Sequence, residues 1–256
     1  MGASQSTVGE AINAPRTCGV GCFEVRDVRL GDDHNPSRNA GGDHLLGKKF
    51  DGRGHFLSYP GITIACAIPA LSGPYKLATA ISKSGLGRMM LPVPASAYHI
   101  NVLDVCAKEM LGLSDEGWWQ YCSSPQWENA AREVRFARFA PRLTVDRVVL
   151  RSAGILVLFK TNDIMDGTPA QPCDVPVGRR LSAQLGVKAN AHPWHMIVAY
   201  CTDHEAFSKL APDKLEAYRA KIEEAAKAAF PGSVPMEEAR LCRYEDMTAF
   251  PPWDGK

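Results

Sequence analysis

The chain has 256 residues, of which 45% are hydrophobic and 22% charged, a composition typical of a globular protein with a sizeable core. Its formal net charge of +1 excludes a global field that would draw it to double-stranded DNA or to an anionic surface, so any phosphate binding must be local. The eight cysteines form no Cys-x-x-Cys pair, and no apolar run resembles a signal peptide or a membrane span. These features favour the reducing cytosol, without disulfides or structural zinc.

The first residues, Met1 to Ser6, fit the N-myristoylation pattern, which needs glycine after the initiator methionine and serine or threonine at the sixth position. Gly2 would carry the acyl chain. One myristoyl chain gives only reversible attachment, so a stable anchor needs a second signal. Palmitoylation of Cys18 or Cys22 would supply it, although free or buried thiols are the commoner state. The motif predicts a cytoplasmic protein with a membrane tether at its N terminus.

Residues 1–46 are predicted to form a flexible arm, and residues 47–256 a compact domain. Within the arm, Gly31–Gly42 is rich in turn-forming residues and nearly free of large apolar side chains. His34 and His44 lie near three aspartates, which invites a metal hypothesis. Their spacing matches no established ligand set, and solvated loop residues are the commoner explanation. We therefore expect no metal there.

The compact domain begins with alternating strand and helix signals. The apolar, β-branched run Ile62–Ile68 lies between two prolines and predicts a buried strand. Leu143–Leu150 and Gly154–Lys160 predict a hairpin. Apolar residues at helical spacing, with start and stop signals, predict helices over residues 72–85, 105–111, 115–122, 124–141 (ended by Pro141), 177–186 and 212–229.

The stretch Tyr98–Asp104 has the alternation of a β-strand. That alternation places His99 and Asn101 on one face and Asp104 on the other. The same pattern returns at Trp194–Tyr200, which again has an aromatic residue before a histidine and a valine three residues after it. Two strands of this kind would each present one imidazole to a shared cleft.

His99 and His195 are therefore a candidate acid/base pair. A lone histidine on an apolar strand is more often a hydrogen-bonded core residue, but the repetition favours a paired role. The order strand, helix, histidine strand occurs in the first half, and hairpin, helix, histidine strand, helix in the second. The sequence thus predicts an α+β fold of two lobes with one histidine strand each.

These elements resemble the two-histidine (2H) phosphoesterase superfamily, whose members include RNA-end cyclic phosphodiesterases. The match is closest to a poorly characterised branch and covers roughly residues 47–253. The matching segments are Gly47-Lys48-Lys49-Phe50, Pro60-Gly61-Ile62-Thr63, Tyr98-His99, Trp194-His195, Ala199-Tyr200 and Leu241-Cys242-Arg243-Tyr244 through Met247. The resemblance implies two pseudo-twofold lobes around a concave antiparallel sheet with flanking helices, with both histidines facing a phosphodiester.

The resemblance also implies a mechanism without metal or cofactor. One imidazole acts as general base on water, and the other, protonated, gives its proton to the leaving oxygen. In the family a threonine or serine two residues after each histidine donates to the phosphate. Here Asn101, whose amide can donate, and Ile197, which cannot, stand at those positions. Loss of one such donor typically costs a factor of about 10² to 10³ in rate.

Two functions follow from these residues. The first is a metal-independent phosphodiesterase for a small cyclic phosphate or a 2′,3′-cyclic RNA end, which the retention of His99 and His195 favours. The second is a catalytically impaired, lipid-anchored module that binds a phosphate or nucleotide, which Asn101 and Ile197 favour. The sequence favours the phosphodiesterase with weak or altered activity, and leaves open which histidine is the acid.

Overall fold

A computed structural model of the chain describes residues 48–165, 168–189 and 192–256. Gly2, Cys18, Cys22, His34 and His44 lie outside these described residues, as does the rest of the predicted arm.

The described residues form an α+β fold, as predicted. The strands are β1 Gly61–Ala67, β2 Met90–Pro92, β3 His99–Ala107, β4 Leu143–Arg151, β5 Gly154–Thr161, β6 Ile164–Met165, β7 Thr168–Pro169, β8 His195–Cys201 and β9 Arg240–Tyr244. The helices are α1 Ser72–Lys83, α2 Lys108–Leu111, α3 Asp115–Cys122, α4 Gln126–Ala137, α5 Pro176–Leu185, α6 His204–Ser208 and α7 Pro212–Ala229.

The longer strands form two antiparallel sheets, with the orders β3-β1-β9 and β2-β8-β5-β4. β1 and β5 each lie between two neighbours and are buried along almost their whole length. Burial on both faces explains why their sequences are nearly continuous apolar runs rather than alternating ones. Helices α1 and α7 pack on each other, α7 also contacts β4, and α5 contacts β3, so the helices flank the sheets.

The two halves of the chain share one local plan. In the first half, β1 is followed by α1, the short strand β2 and then the histidine strand β3, which pairs with β1. In the second half, β5 is followed by the short strands β6 and β7, then by α5 and the histidine strand β8, which pairs with β5. The carbonyl before each histidine accepts an equivalent hydrogen bond, from Ile68 to Tyr98 and from Phe159 to Trp194, both at 2.9 Å. This is the predicted two-lobed arrangement.

Each histidine strand also carries a β-bulge at the same position. The pairing of β3 with β1 skips Val102, and the pairing of β8 with β5 skips Val198. One extra residue reverses the alternation beyond it, so the residue five positions after each histidine joins the histidine's face. These residues are Asp104 and Tyr200, and both line the same cleft as His99. The prediction that Asp104 lies on the opposite face is therefore wrong.

Two other predictions are wrong in part. Residues 105–107 continue β3, because Cys106 and Ala107 pair with Ile62 and Gly61 of β1 and Val105 is the extra residue at a second register shift. Only Lys108–Leu111 of the predicted 105–111 helix is helical. Pro141 does not end the preceding helix, since α4 stops where Arg138 adopts a left-handed conformation with φ of 45°. The hairpin and the helices beginning near residues 72, 115, 177 and 212 are confirmed. In the described part of the chain, no helix is long and apolar enough to cross a membrane.

Candidate active site

A cleft of about 630 Å³, open solvent included, lies where the two histidine strands approach each other. All four site residues predicted in the compact domain line it: His99, Asn101, His195 and Ile197. The structure therefore brings together residues that are almost a hundred positions apart in the sequence.

His99 is the first residue of β3 and is partly exposed to the cleft. Its Nδ1 lies 2.8 Å from the carbonyl oxygen of Ala97, and because a carbonyl only accepts, Nδ1 carries the hydrogen. Nε2 is then the ring nitrogen available to the cleft. The ring of Phe250 covers the imidazole, with 3.7 Å between ring centroids. Burial lowers the pKa of His99, against the opposing effects of Ala97 and Asp104 and with a smaller lowering by Lys49.

His195 is the first residue of β8 and repeats this arrangement. Its Nδ1 lies 3.0 Å from the carbonyl oxygen of Pro193, again two residues upstream, so Nε2 again is available to the cleft. The side chain is only 8% exposed. Burial, reinforced by the neighbouring His192, lowers the pKa of His195 to about 4. The lowered pKa of each cleft imidazole favours its neutral form in the unliganded protein, with an unprotonated Nε2.

Asn101 holds Asp104 in the cleft wall. Its Nδ2 donates to Oδ1 of Asp104 at 2.6 Å, and its Oδ1 lies 3.2 Å from the hydroxyl of Thr63. That hydroxyl also lies 3.1 Å from the carbonyl oxygen of Leu103. An amide has two N–H donors, so at most one of them remains for a ligand. Asn101 thus has a structural partner on each side, which its sequence position did not indicate.

His192 is a third histidine, which the sequence patterns did not identify. It is buried, with Nδ1 3.2 Å from the same Pro193 carbonyl oxygen that His195 uses. Its Nε2 lies 3.8 Å from Oδ2 of Asp104, and its ring meets His195 edge to face at 4.8 Å. Burial lowers the pKa of His192, but the nearby Asp104 carboxylate outweighs burial and raises this pKa overall. A second histidine three positions before His195 was the available signal.

Lys49 supplies a positive charge to the cleft and is only 6% exposed. Its Nζ lies 5.0 Å from the ring centroid of Tyr59 and 5.8 Å from that of Tyr200, within the range of cation–π attraction. Lys49 is the lysine of the Gly-x-Lys-Phe segment, and the sequence alone indicated no role for it. Buried aromatic faces hold this ammonium group at the cleft.

Ile197 and Tyr244 complete two further sides of the cleft. Ile197 is half-buried and offers no hydrogen-bond donor. Tyr244 lies across Gly61 of the neighbouring strand β1. A β-carbon on Gly61 would collide with the Tyr244 hydroxyl and would lie 2.8 Å from the carbonyl oxygen of Cys106. The glycine of the Pro-Gly-x-Thr segment is thus needed for space, because it lets the tyrosine reach the cleft.

Among the described residues, no three His, Cys, Asp or Glu side chains are arranged to hold a metal ion. In the cluster of Asp104, His192 and His195, Nδ1 of each histidine already donates to the carbonyl oxygen of Pro193 and is therefore not a free metal ligand.

Comparison with known proteins gives a fold and no function. No family model matches the chain, and no curated protein matches it. Among solved structures, the chain is similar to the conserved protein of unknown function ATU0111 from Agrobacterium tumefaciens. The two are 16% identical, with a TM-score of 0.57 over 82% of this chain and 91% of that one. At this identity the likeness supports the fold alone.

Proposed function

We propose that this protein is a metal-independent phosphodiesterase of the two-histidine type, acting on a 2′,3′-cyclic phosphate of a nucleotide or an RNA end. One observation carries the proposal. His99 and His195 begin two equivalent bulged strands, and each bonds its Nδ1 to the carbonyl two residues upstream and leaves Nε2 for one cleft. Two imidazoles fixed in the same tautomer suit proton transfer on either side of a phosphodiester.

The protonation states that the two roles need can arise in turn, with the general base neutral in the unliganded protein and the general acid protonated once substrate binds. A neutral imidazole with a free Nε2 can take a proton from an attacking water. A bound phosphodiester brings a negative charge beside the other imidazole, which favours its protonated form. Protonated imidazole can then give its proton to the leaving oxygen. The ammonium group of Lys49 offers a counter-charge for the phosphate within the same cleft.

A second candidate is a binding module with little or no catalytic activity. The motivating observation is the shortage of donors at the two family hydroxyl positions. Ile197 has none, and Asn101 already spends one N–H on Asp104. Such a cleft would still recognise a phosphate through Lys49, but it would stabilise the charge that develops during hydrolysis less well.

Hydrolysis of a 2′,3′-cyclic nucleoside monophosphate in the presence of a chelator tests the proposal. We expect wild type to release the phosphomonoester, and His99→Ala and His195→Ala to lose about 10²- to 10⁴-fold in rate, the usual worth of one acid or base. His55→Ala is the matched control, because His55 is exposed and lies outside the cleft lining. Binding of the nucleotide without turnover by wild type would favour the second candidate. Full activity in either cleft variant would show that His99 and His195 do not act as an acid/base pair.

We also propose that the N-terminal motif tethers the protein to the cytoplasmic face of a membrane. Gly2 lies outside the described residues, so the sequence pattern alone supports this point. In a cell fractionation, Gly2→Ala should move the protein to the supernatant. Equal partitioning of wild type and variant would contradict the tether.

A further inference from the structure

The buried His192 and Asp104 are not used by the acid/base scheme above. We propose that this pair assigns the roles of the two cleft histidines, so that His195 is the general base and His99 the general acid. The inference rests on the proposed function and deepens it. His192 acts here as a positioning residue, since it lies behind His195 and does not line the cleft.

The geometry accommodates a charged His192. Its Nδ1–H donates to Pro193, and its Nε2 faces Oδ2 of Asp104 at 3.8 Å. The other carboxylate oxygen of Asp104 accepts from Asn101. Both members of the pair are buried, where a charge persists only with an opposite charge and hydrogen bonds around it. Charged His192 has the Asp104 carboxylate and the Pro193 carbonyl beside it, and Asp104 has His192 and the Asn101 amide.

The pair acts on the two cleft histidines in opposite directions. His192, whose ring meets that of His195 at 4.8 Å, is the leading charge at His195 and opposes a second proton there, against a smaller opposite effect of Asp104. Asp104 is the leading charge at His99 and favours a proton there, ahead of the opposing Lys49. When a phosphodiester brings the proton-favouring charge, the proton therefore goes to His99.

The remaining titratable groups at the cleft lie on β8, on β9 and ahead of β1. Tyr200 projects from β8 and Tyr244 from β9, and both line the cleft with Lys49. A charge on His99 also lowers the pKa of His195, so the two cleft histidines do not take up protons independently.

The assigned step balances. Nε2 of His195 takes one proton from water while the water oxygen bonds to phosphorus. The bond from phosphorus to the leaving oxygen breaks, and that oxygen takes the proton from Nε2 of His99. The products are a phosphomonoester and a free hydroxyl, with His195 protonated and His99 neutral. Exchange with solvent restores the starting state.

An NMR titration of the imidazole nitrogens tests the pair without any turnover. In wild type at pH 7, we expect His192 to be doubly protonated and His195 to be neutral with hydrogen on Nδ1. In His192→Gln, the titration midpoint of His195 should rise by about one pH unit, because the neighbouring cation is gone. Asp104→Asn should remove the second proton of His192 and lower the midpoint of His99. His55→Gln is the control and should leave these midpoints unchanged.

A neutral His192 in wild type at pH 7 would overturn the inference, and this measurement uses only the wild-type protein, so it does not depend on the folding of a variant. An unchanged His195 midpoint in a folded His192→Gln would do the same. These outcomes are independent of catalysis, so they are distinct from a failure of the proposed function, which would appear as absence of hydrolysis by wild type.

The pH dependence of hydrolysis gives the second readout. The rate should fall at low pH as His195 gains a proton, and in His192→Gln this fall should move up by about one pH unit. A purely structural role for His192 predicts a lower rate at every pH with no movement of the midpoint, and that result would contradict the inference.

Discussion

The Nδ2 atom of Asn101 lies 2.6 Å from Oδ1 of Asp104, although strict alternation would put these residues on opposite faces of β3. The bulge at Val102 brings them to one face. A residue expected to contact phosphate therefore also holds a buried carboxylate in place. This changes what its substitution should do.

Asn101→Leu should lower the free energy of unfolding by about 2 kcal/mol, because a hydrogen bond to a buried charged group is lost while the charge remains. Urea denaturation measures the loss. Asn129→Leu is the control, because Asn129 is exposed on α4, and its effect should stay within about 0.5 kcal/mol. Equal stability of Asn101→Leu and wild type would show that Asp104 does not depend on the amide.

Ile197→Thr should raise the turnover of a 2′,3′-cyclic nucleotide by about one to two orders of magnitude. Ile197 lines the cleft beside His195, so a hydroxyl there would add a donor at the family position. Ile164→Thr is the control, since Ile164 is exposed on β6 and outside the cleft lining. Absence of cleavage by a folded Ile197→Thr protein would favour the binding module.

Lys49→Met should weaken binding of a nucleoside monophosphate by about 10- to 100-fold, the usual worth of one charge-assisted contact. Methionine keeps much of the apolar stem and removes the charge. The adjacent Lys48→Met is a close control, because Lys48 is exposed and pairs with Glu109 at 2.7 Å. Titration calorimetry measures both. Equal loss in the two variants would mean that Lys49 has no special contact with the phosphate.

His195 should make the protein less stable in acid. Its pKa is about 4 in the folded state against about 6.5 when unfolded, so the unfolded chain binds more protons between these values. The stability that depends on a neutral His195 is complete above about pH 6.5 and is lost as the pH falls toward 4. His192, whose pKa is raised, has the opposite sign, and its contribution fades as the pH rises through its folded value.

Urea denaturation at two pH values measures this effect. Between pH 7 and pH 5, His195 should cost wild type about 2 kcal/mol, and His195→Asn should remove that part of the loss. His55→Asn, at an exposed site outside the cleft lining, should leave the part of the loss that depends on His195 in place. A His195→Asn protein with the wild-type dependence would contradict the lowered pKa.

The histidine strands illustrate what the sequence could predict. The alternation of His99 with Asn101, and of His195 with Ile197, is local and predicted that each pair shares one strand face, and both pairs line the cleft. The bulges were not predictable, because a valine at the bulge is an ordinary strand residue and the extra residue is defined only by the partner strand.

Contacts between distant segments were also beyond the sequence patterns. Lys49 and His192 belong to the site because two sheets approach each other. No periodicity within a short stretch of sequence indicates that approach. The false helix over residues 105–107 has the same origin, since pairing with β1 overrides a weak local preference.

Gly61 and Tyr244 lie on neighbouring strands with no room for a side chain between them. Their identities should therefore be linked during evolution. A homologue with alanine or a larger residue at position 61 should carry a smaller residue than tyrosine at position 244, and it would lose the aromatic hydroxyl from this side of the cleft. Covariation at these two positions would thus separate homologues that keep the full cleft from those that keep only the fold.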